Sequence, residues 1–343
     1  MRLPKLKGKE GQPYFELFAV LIFLGTLSLT AVYLQRPPQP STWSIVAADP
    51  ATGEVGIAAA SCVPQPIDGL ATLVPGQGVA ATQAAFVIEN RDRVYELLQQ
   101  GETAVSIIDT VAAADAGSAD RQYGIITLHN GEATVAGFTG VNNGDWAGDQ
   151  QANALFPVSA QGNILEGAAV VDAAISAFND PNLGDVQLSD RLMRALEAGA
   201  AAGGDKRCNQ LVQQTAAAAF IIVAQGDEPP VAPLDFGQTD TGSASLHLSA
   251  STGVGGANPI IALREQYDQW RQTNMANCAS CDLSAIPVPA GGNGFTSSLG
   301  TLLFFIPAWL LLLCGGSFAL VIWLVVRWWR QRQTMLPKEN DAD

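Results

Sequence analysis

TWSIVAADPATGEVGIAAAS, residues 42–61, reads as two β-runs folded back on each other. Thr42 to Asp49 and Glu54 to Ser61 are built largely from Ile, Val and Ala. The Pro50-Ala51-Thr52-Gly53 between them is turn chemistry: Pro presets φ and Gly takes a positive one at no steric cost. A hairpin at this point predicts antiparallel sheet. Ahead of it stands Pro37-Pro38-Gln39-Pro40, a stiff spacer, so Thr42 opens the folded part. It reads either as a plain strand residue or as a reacting group.

Downstream, Gly76 to Ala85 is a third candidate strand. A helical pattern starts at Asn90, with Val94, Leu97 and Leu98 on one face, and Gly101 ends it. Thr103 caps a second helix that runs through Asp115. Arg121 to Gly140 reads as another hairpin with Asn130-Gly131 at its turn. A Gly/Asn-rich loop holding Trp146-Ala147-Gly148-Asp149 leads to a short strand ending in Gln161-Gly162-Asn163. Helices are expected over Glu166 to Phe178 and Leu188 to Ala202, and Ala216 to Gln225 is a buried strand, with another over Ala244 to Ala250. Asn258-Pro259 starts a last helix with Ile260, Leu263, Tyr267 and Trp270 at helical spacing. Strands come in hairpins and helices in pairs, which predicts an α+β domain of two stacked antiparallel sheets sandwiched by helices.

The chain has 343 residues, 48% of them hydrophobic and 15% charged, enough for a core plus membrane segments. Residues 17–34 are 18 residues without a charge. That length covers roughly 27 Å as a helix, close to a hydrocarbon layer of about 30 Å. Residues 301–326 make a longer apolar run of 26. Arg2, Lys5, Lys7 and Lys9 precede the first span, while Arg327, Arg330 and Arg332 follow the second, so the positive-inside rule puts both ends in the cytoplasm. The expected layout is a cytoplasmic segment 1–16, a transmembrane helix 17–34, an extracytoplasmic domain 42–275, a flexible tether 276–300, a transmembrane helix 301–326 and a cytoplasmic tail 327–343. The first span reads as an uncleaved anchor, a cleaved signal peptide being the alternative.

Charge is divided unevenly. Residues 41–296 hold 27 acidic against 9 basic side chains, a net of −18, within a whole-chain net of −14. A surface of that sign disfavours nucleic acid, because neutralising phosphates requires cations. Cys62, Cys208, Cys278 and Cys281 fall in the outer part and Cys314 in the second span, and an even outer count predicts two disulfides. Cys278-Ala279-Ser280-Cys281 reads as a structural bridge, with a redox pair or half a zinc site as alternatives; the only histidines are His129 and His247, so a metal site is not expected. P-loop, GxSxG and HExxH patterns are missing, and both histidines sit in strand or turn contexts that suit a structural role. No cofactor is implied.

The run TWSIVAADPATGEVGIAAASC, then GLATLVPGQGVAATQA, RQYGIITL, WAGD, AQGNILEG and ALEAGAAAGGDKRCNQ resembles the domain-of-unknown-function family 1028, over roughly residues 42–270. The resemblance places the domain in the Ntn-hydrolase-like superfamily and implies an αββα four-layer sandwich, here flanked by two transmembrane helices. Such hydrolases use the first residue of the mature chain as nucleophile and its own α-amine, of pKa about 8, as general base. Shorter members resemble Met-Thr-Phe-Ser at their start, which maps the nucleophile to Thr42. This sequence departs from them: 41 residues precede Thr42, so the mechanism requires a cut between Ser41 and Thr42.

Within the motifs that carry the resemblance, Asn163 is a candidate donor to an oxyanion, or a turn-forming residue beside Gly162. Asp205 is a candidate to orient the nucleophile and Arg207 to bind a substrate carboxylate; the alternative is that they pair with each other in a loop. Ser44 shares a strand face with Thr42 by the two-residue period, as a supporting hydroxyl or a packing residue. The resemblance also implies a Cys62 to Cys208 bridge, which leaves Cys278 to Cys281 as the separate bridge read from its own spacing. The expected function is amide-bond hydrolysis of a small substrate by a membrane-anchored outer domain. The alternative is a non-catalytic binding or scaffold domain that keeps the fold.

Overall fold

The computed structural model describes residues 42–274 except 154, 155, 185, 213 and 240–243. The anticipated spans 17–34 and 301–326, the tether with Cys278 and Cys281, and Cys314 lie outside the described residues. Among the described ones, no helix is long and apolar enough to cross a membrane.

The opening hairpin forms as β1 (Thr42–Ala48) and β2 (Val55–Ser61), paired antiparallel from Thr42 opposite Ser61 to Ala48 opposite Val55. Both strands are buried along their whole length, which explains their nearly continuous apolar lettering. On the far side β1 pairs with β8 (Pro157–Leu165), on which Asn163 stands opposite Thr42. With β7 (Trp146–Asn153), β9 (Ala218–Ala224) and β10 (Leu246–Ser251) these make a six-stranded antiparallel sheet in the order β10-β9-β2-β1-β8-β7. The second sheet has four strands in chain order: β3 (Ala71–Val74), β4 (Gly78–Ala84), β5 (Arg121–His129) and β6 (Glu132–Thr139).

Side-chain alternation sorts β1 between two cores. Trp43, Ile45 and Ala47 pack with residues of α3 (Ala169–Phe178), α4 (Leu188–Ala201) and α6 (Pro259–Asn274). Val46 and Ala48 face the other way, into a core shared with Val79 and Ala81 of β4 and Ile126 and Leu128 of β5. The outer face of the four-stranded sheet, through Ala80, Tyr123 and Ile125, is covered by α1 (Ile88–Gln99) and α2 (Ala104–Ala114). The domain is α+β, with one sheet stacked on the other and helices on both outer faces.

Most local signals act as their chemistry requires. Asn130 and Gly131 take φ of 53° and 80°, the left-handed pair that a tight hairpin turn needs. Thr103 accepts the Ser106 N–H at the start of α2, and Asn258 accepts the Ile260 N–H at the start of α6. Gly76 to Ala85 holds the expected strand, β4, and Ala71–Val74, which was not anticipated, pairs with it. Two expectations are corrected. Trp146 to Asp149 is not a loop: it begins β7, an edge strand whose half-exposed face tolerates Gly, Asp and Gln. The Gly-Gly-Asp-Lys-Arg segment is not a loop throughout, since α5 (Lys206–Val212) starts immediately after Asp205, whose Oδ1 accepts the Arg207 N–H 3.0 Å away.

Candidate functional site

Thr42 lies at one end of the six-stranded sheet, framed by Ser61 on β2 and Asn163 on β8. The same alternation that sends Val46 between the sheets sends Thr42 and Ser44 there too, so the two hydroxyl residues do share a face. Gln83 of β4 and Gln122 of β5 rise from the opposite sheet, while Ser159, Gln161 and Asn163 line β8 beside them, all seven within 2% of full burial.

Burying so many amides is costly unless every one is paired, about 1–3 kcal/mol for each polar group left unsatisfied. They are joined into one chain of hydrogen bonds. Ser159 Oγ donates to Gln161 Oε1 (2.8 Å), and Gln161 Nε2 donates to Ser44 Oγ (2.6 Å) and the Ser44 carbonyl (3.1 Å). Ser44 Oγ donates to Gln83 Oε1 at 2.6 Å. Gln83 Nε2 reaches Gln122 Oε1 (2.8 Å) and the Thr42 carbonyl (3.4 Å), and Asn163 Nδ2 donates to the same Gln122 Oε1 (3.0 Å). Gly124 on β5 makes room for this crossing, since a Cβ there would collide with the Gln161 amide.

Two flanking residues are strained. Ala84, just after Gln83, has φ of 70°, and Ile164, just after Asn163, has φ of 51°. A β-branched side chain in the left-handed region is an outlier that costs of order 1–3 kcal/mol and persists only where the surroundings impose it. Ala84 follows the glutamine that donates to the Thr42 carbonyl, and Ile164 follows the residue that stands opposite Thr42 on β8.

The remaining expected residues lie at the same end but are occupied. Asp205 is fully buried and forms an isolated β-bridge with Leu165. Its Oδ2 accepts the Cys62 N–H (2.8 Å) and sits 3.0 Å from Arg207 Nη2. Of the two readings offered for Asp205 and Arg207, the structure has the pair. No hydrogen bond joins Asp205 to Thr42 among the described residues. Cys62 and Cys208 are disulfide-bonded with Cα atoms 5.5 Å apart, tying the end of β2 to α5. His247 Nε2 pairs with buried Asp68 Oδ1 at 2.7 Å, away from Thr42, and His129 lies exposed at the end of β5. Among the described residues, no group of three or more His, Cys, Asp or Glu is placed to hold a metal.

Sequence reasoning named Thr42, Ser44 and Asn163, quoted Gln83, Gln122 and Gln161 only as parts of motifs, and missed Ser159. A glutamine within a buried run such as Gly78-Val79-Ala80-Ala81-Thr82-Gln83-Ala84 is the signal that was there to read.

The folded part is thus an α+β two-sheet domain with a buried polar cluster at one end of the layer between its sheets. Residues 42–244 match the family of unknown function DUF1028, and the chain belongs to that family. The chain is similar to the crystal structure of protein SPO2555 from Silicibacter pomeroyi, another DUF1028 protein, at 26% identity and a TM-score of 0.51. That likeness covers 73% of this chain and 97% of that one. No curated protein matches the chain.

Proposed function

We propose that this protein is an amide hydrolase of the Ntn type whose nucleophile is Thr42, set free by a cut after Ser41. The observation that carries the reading is the placement of Thr42 itself. It is the first residue of a central strand, at the end of the polar network, which reaches the Thr42 carbonyl through Gln83 Nε2 at 3.4 Å, and Asn163 stands opposite it on β8. In this reading Thr42 Oγ1 adds to the substrate's amide carbon and its proton passes to the Thr42 α-amine. The oxyanion then collapses, the C–N bond breaks, and the leaving nitrogen takes that proton. Water, deprotonated by the same amine, hydrolyses the ester and restores the hydroxyl. Hydroxyl and amine belong to one residue, so no histidine is needed.

Asn163, opposite Thr42, is the proposed donor to the oxyanion, and Ser44 supports the strand end from the adjacent inward position. Asp205 acts as an anchor for Cys62 and α5, and Arg207, held against it, is the proposed contact for a substrate carboxylate. The domain is carried outside a membrane by residues 17–34 and 301–326, and a reporter fused after Asp343 stays cytoplasmic in that arrangement.

A β-lactone probe tests the chemistry without knowledge of the substrate. Attack by Thr42 Oγ1 opens the ring at its acyl C–O bond and adds the whole probe mass to one residue. The expected result is a single adduct on Thr42 that Thr42→Ala abolishes without lowering the melting temperature by more than a few degrees. An adduct that survives Thr42→Ala would overturn the assignment.

A further inference from the structure

We infer that Gln122, on the sheet opposite Thr42, is a positioning residue: its side-chain oxygen, shared by the Asn163 and Gln83 nitrogens, helps to orient both amides beside the nucleophile's strand end. The inference rests on the reading of Thr42 as nucleophile and adds to it a residue from the other sheet.

An amide side chain can usually be turned over, because its oxygen and nitrogen are similar in shape. Here the backbone decides. Gln122 Nε2 is surrounded by the Gly162 carbonyl (2.8 Å), the Gly148 carbonyl (3.2 Å) and Thr139 Oγ1 (2.9 Å). Carbonyl oxygens only accept, so the nitrogen must point at them and Oε1 must point the other way. There it receives Gln83 Nε2 at 2.8 Å and Asn163 Nδ2 at 3.0 Å. Both partners are thereby turned, nitrogen inward, by one side chain that is itself fully buried. Gln83, so turned, also donates to the Thr42 carbonyl at 3.4 Å and accepts the Ser44 hydroxyl at 2.6 Å. Gln122 therefore contacts the backbone of β7 and β8 directly and β1 through Gln83. If it flips or loses its nitrogen, Asn163 Nδ2 and Gln83 Nε2 lose the acceptor they share.

Gln122→Glu exposes this logic through pH. A neutral carboxylic acid keeps one oxygen as acceptor and donates its proton to a carbonyl, imitating the amide. The carboxylate has no donor, and it faces the Gly162 and Gly148 oxygens. Burial favours the neutral form and raises the pKa of a carboxyl by up to 3–5 units or so. The variant should therefore imitate glutamine in acid and lose the imitation as pH rises.

The experiment uses the full chain and the β-lactone probe, with the labelling rate normalised to the amount of chain that begins at Thr42. The rate of Gln122→Glu, divided by that of the unaltered protein, should lie near one in acid and fall about tenfold or more by about pH 8. Gln122→Met should be slower at every pH by about tenfold. Tyr267→Phe, which removes a buried hydroxyl from Asp190 and Ser189 on the helical side, is the matched destabilised protein and should label within about twofold of normal. If the Gln122 variants do not fold, Thr139→Val, at a half-buried position, removes one acceptor of Gln122 Nε2 and should slow labelling about two- to threefold. A flat pH ratio for Gln122→Glu, or an undiminished rate for Gln122→Met or Thr139→Val, overturns the inference while leaving Thr42 as nucleophile. Failure of the unaltered protein to label at Thr42 removes both.

Discussion

The layer between the two sheets has two ends made from the same strands. At one, Val46, Ala48 and Ile57 meet Val79, Ala81 and Ile126; at the other, Thr42 and Ser44 meet Gln83 and Gln122. Burial is equally complete at both, and the inward alternation continues unbroken from one to the other. Folding needs only the first kind of end, since apolar area removed from water stabilises by roughly 25 cal/mol per Å² and asks for no partner. Amides at the second return at best about 1 kcal/mol per hydrogen bond and cost more than that if one fails. The polar end, with strain at Ala84 and Ile164 beside it, is therefore where the structure departs from what stability alone would choose.

The contrast can be broken by substitution at either end. The largest effect belongs to the Cys62–Cys208 bridge, which closes a sequence separation of 146 residues at the polar end. The chain-entropy account gives about 5 kcal/mol for such a loop, so Cys208→Ser, measured by urea unfolding, should lose about 2–5 kcal/mol. Next comes the apolar end, where Ile57 is fully buried. Ile57→Ala should cost about 2–5 kcal/mol through the cavity it leaves, with Thr42 labelling unchanged per folded molecule. Ser44→Ala at the polar end should cost less, about 1–3 kcal/mol, because Gln161 Nε2 and Gln83 Oε1 each lose a partner, yet it should slow labelling where Ile57→Ala does not. Equal effects of these two substitutions on labelling would erase the distinction between the ends.

The smallest effect is electrostatic and lies at the far edge, where Glu54 precedes β2. Burial raises its pKa, the Gln225 hydrogen bond pulls it back, and Asp49 and Glu228 push it up again. A folded state that holds this proton more tightly than the unfolded chain loses stability as pH rises from the unfolded value through the folded one. Glu54→Gln should accordingly raise the melting temperature slightly at neutral pH, by about a degree or two, and show no gain in acid below the ordinary carboxyl range. A gain that persisted undiminished in acid would contradict that sign.

Much of the fold was legible because its signals are local. Pro50 to Gly53, Asn130-Gly131, Thr103 and Asn258 mark turns and caps through their own side chains or φ preferences. β7 was hidden because this edge strand gives the core only Trp146 and Ala152 among Gly, Asp, Gln and Asn, and α5 because one capping carboxylate and a disulfide establish a helix of only seven residues. Among the candidate residues, Thr42 and Asn163 were found through the family motifs that contain them and Ser44 through the two-residue period of its strand; that Asn163 stands opposite Thr42 is set by the pairing of β1 with β8. Gln83 and Gln122 could not be joined to them from sequence. They belong to the other sheet, and their meaning depends on how the sheets stack, a long-range fact that no spacing along the chain encodes.

The central claim is that Thr42 works as an N-terminal residue, with its own amine as base. The most direct measurement is the intact mass and N-terminal sequence of the isolated protein, taken on the same preparation that is exposed to the β-lactone. The account predicts a chain beginning at Thr42 and an adduct on that residue. A preparation containing only chain that begins at Met1, and still forming the Thr42 adduct, would contradict it.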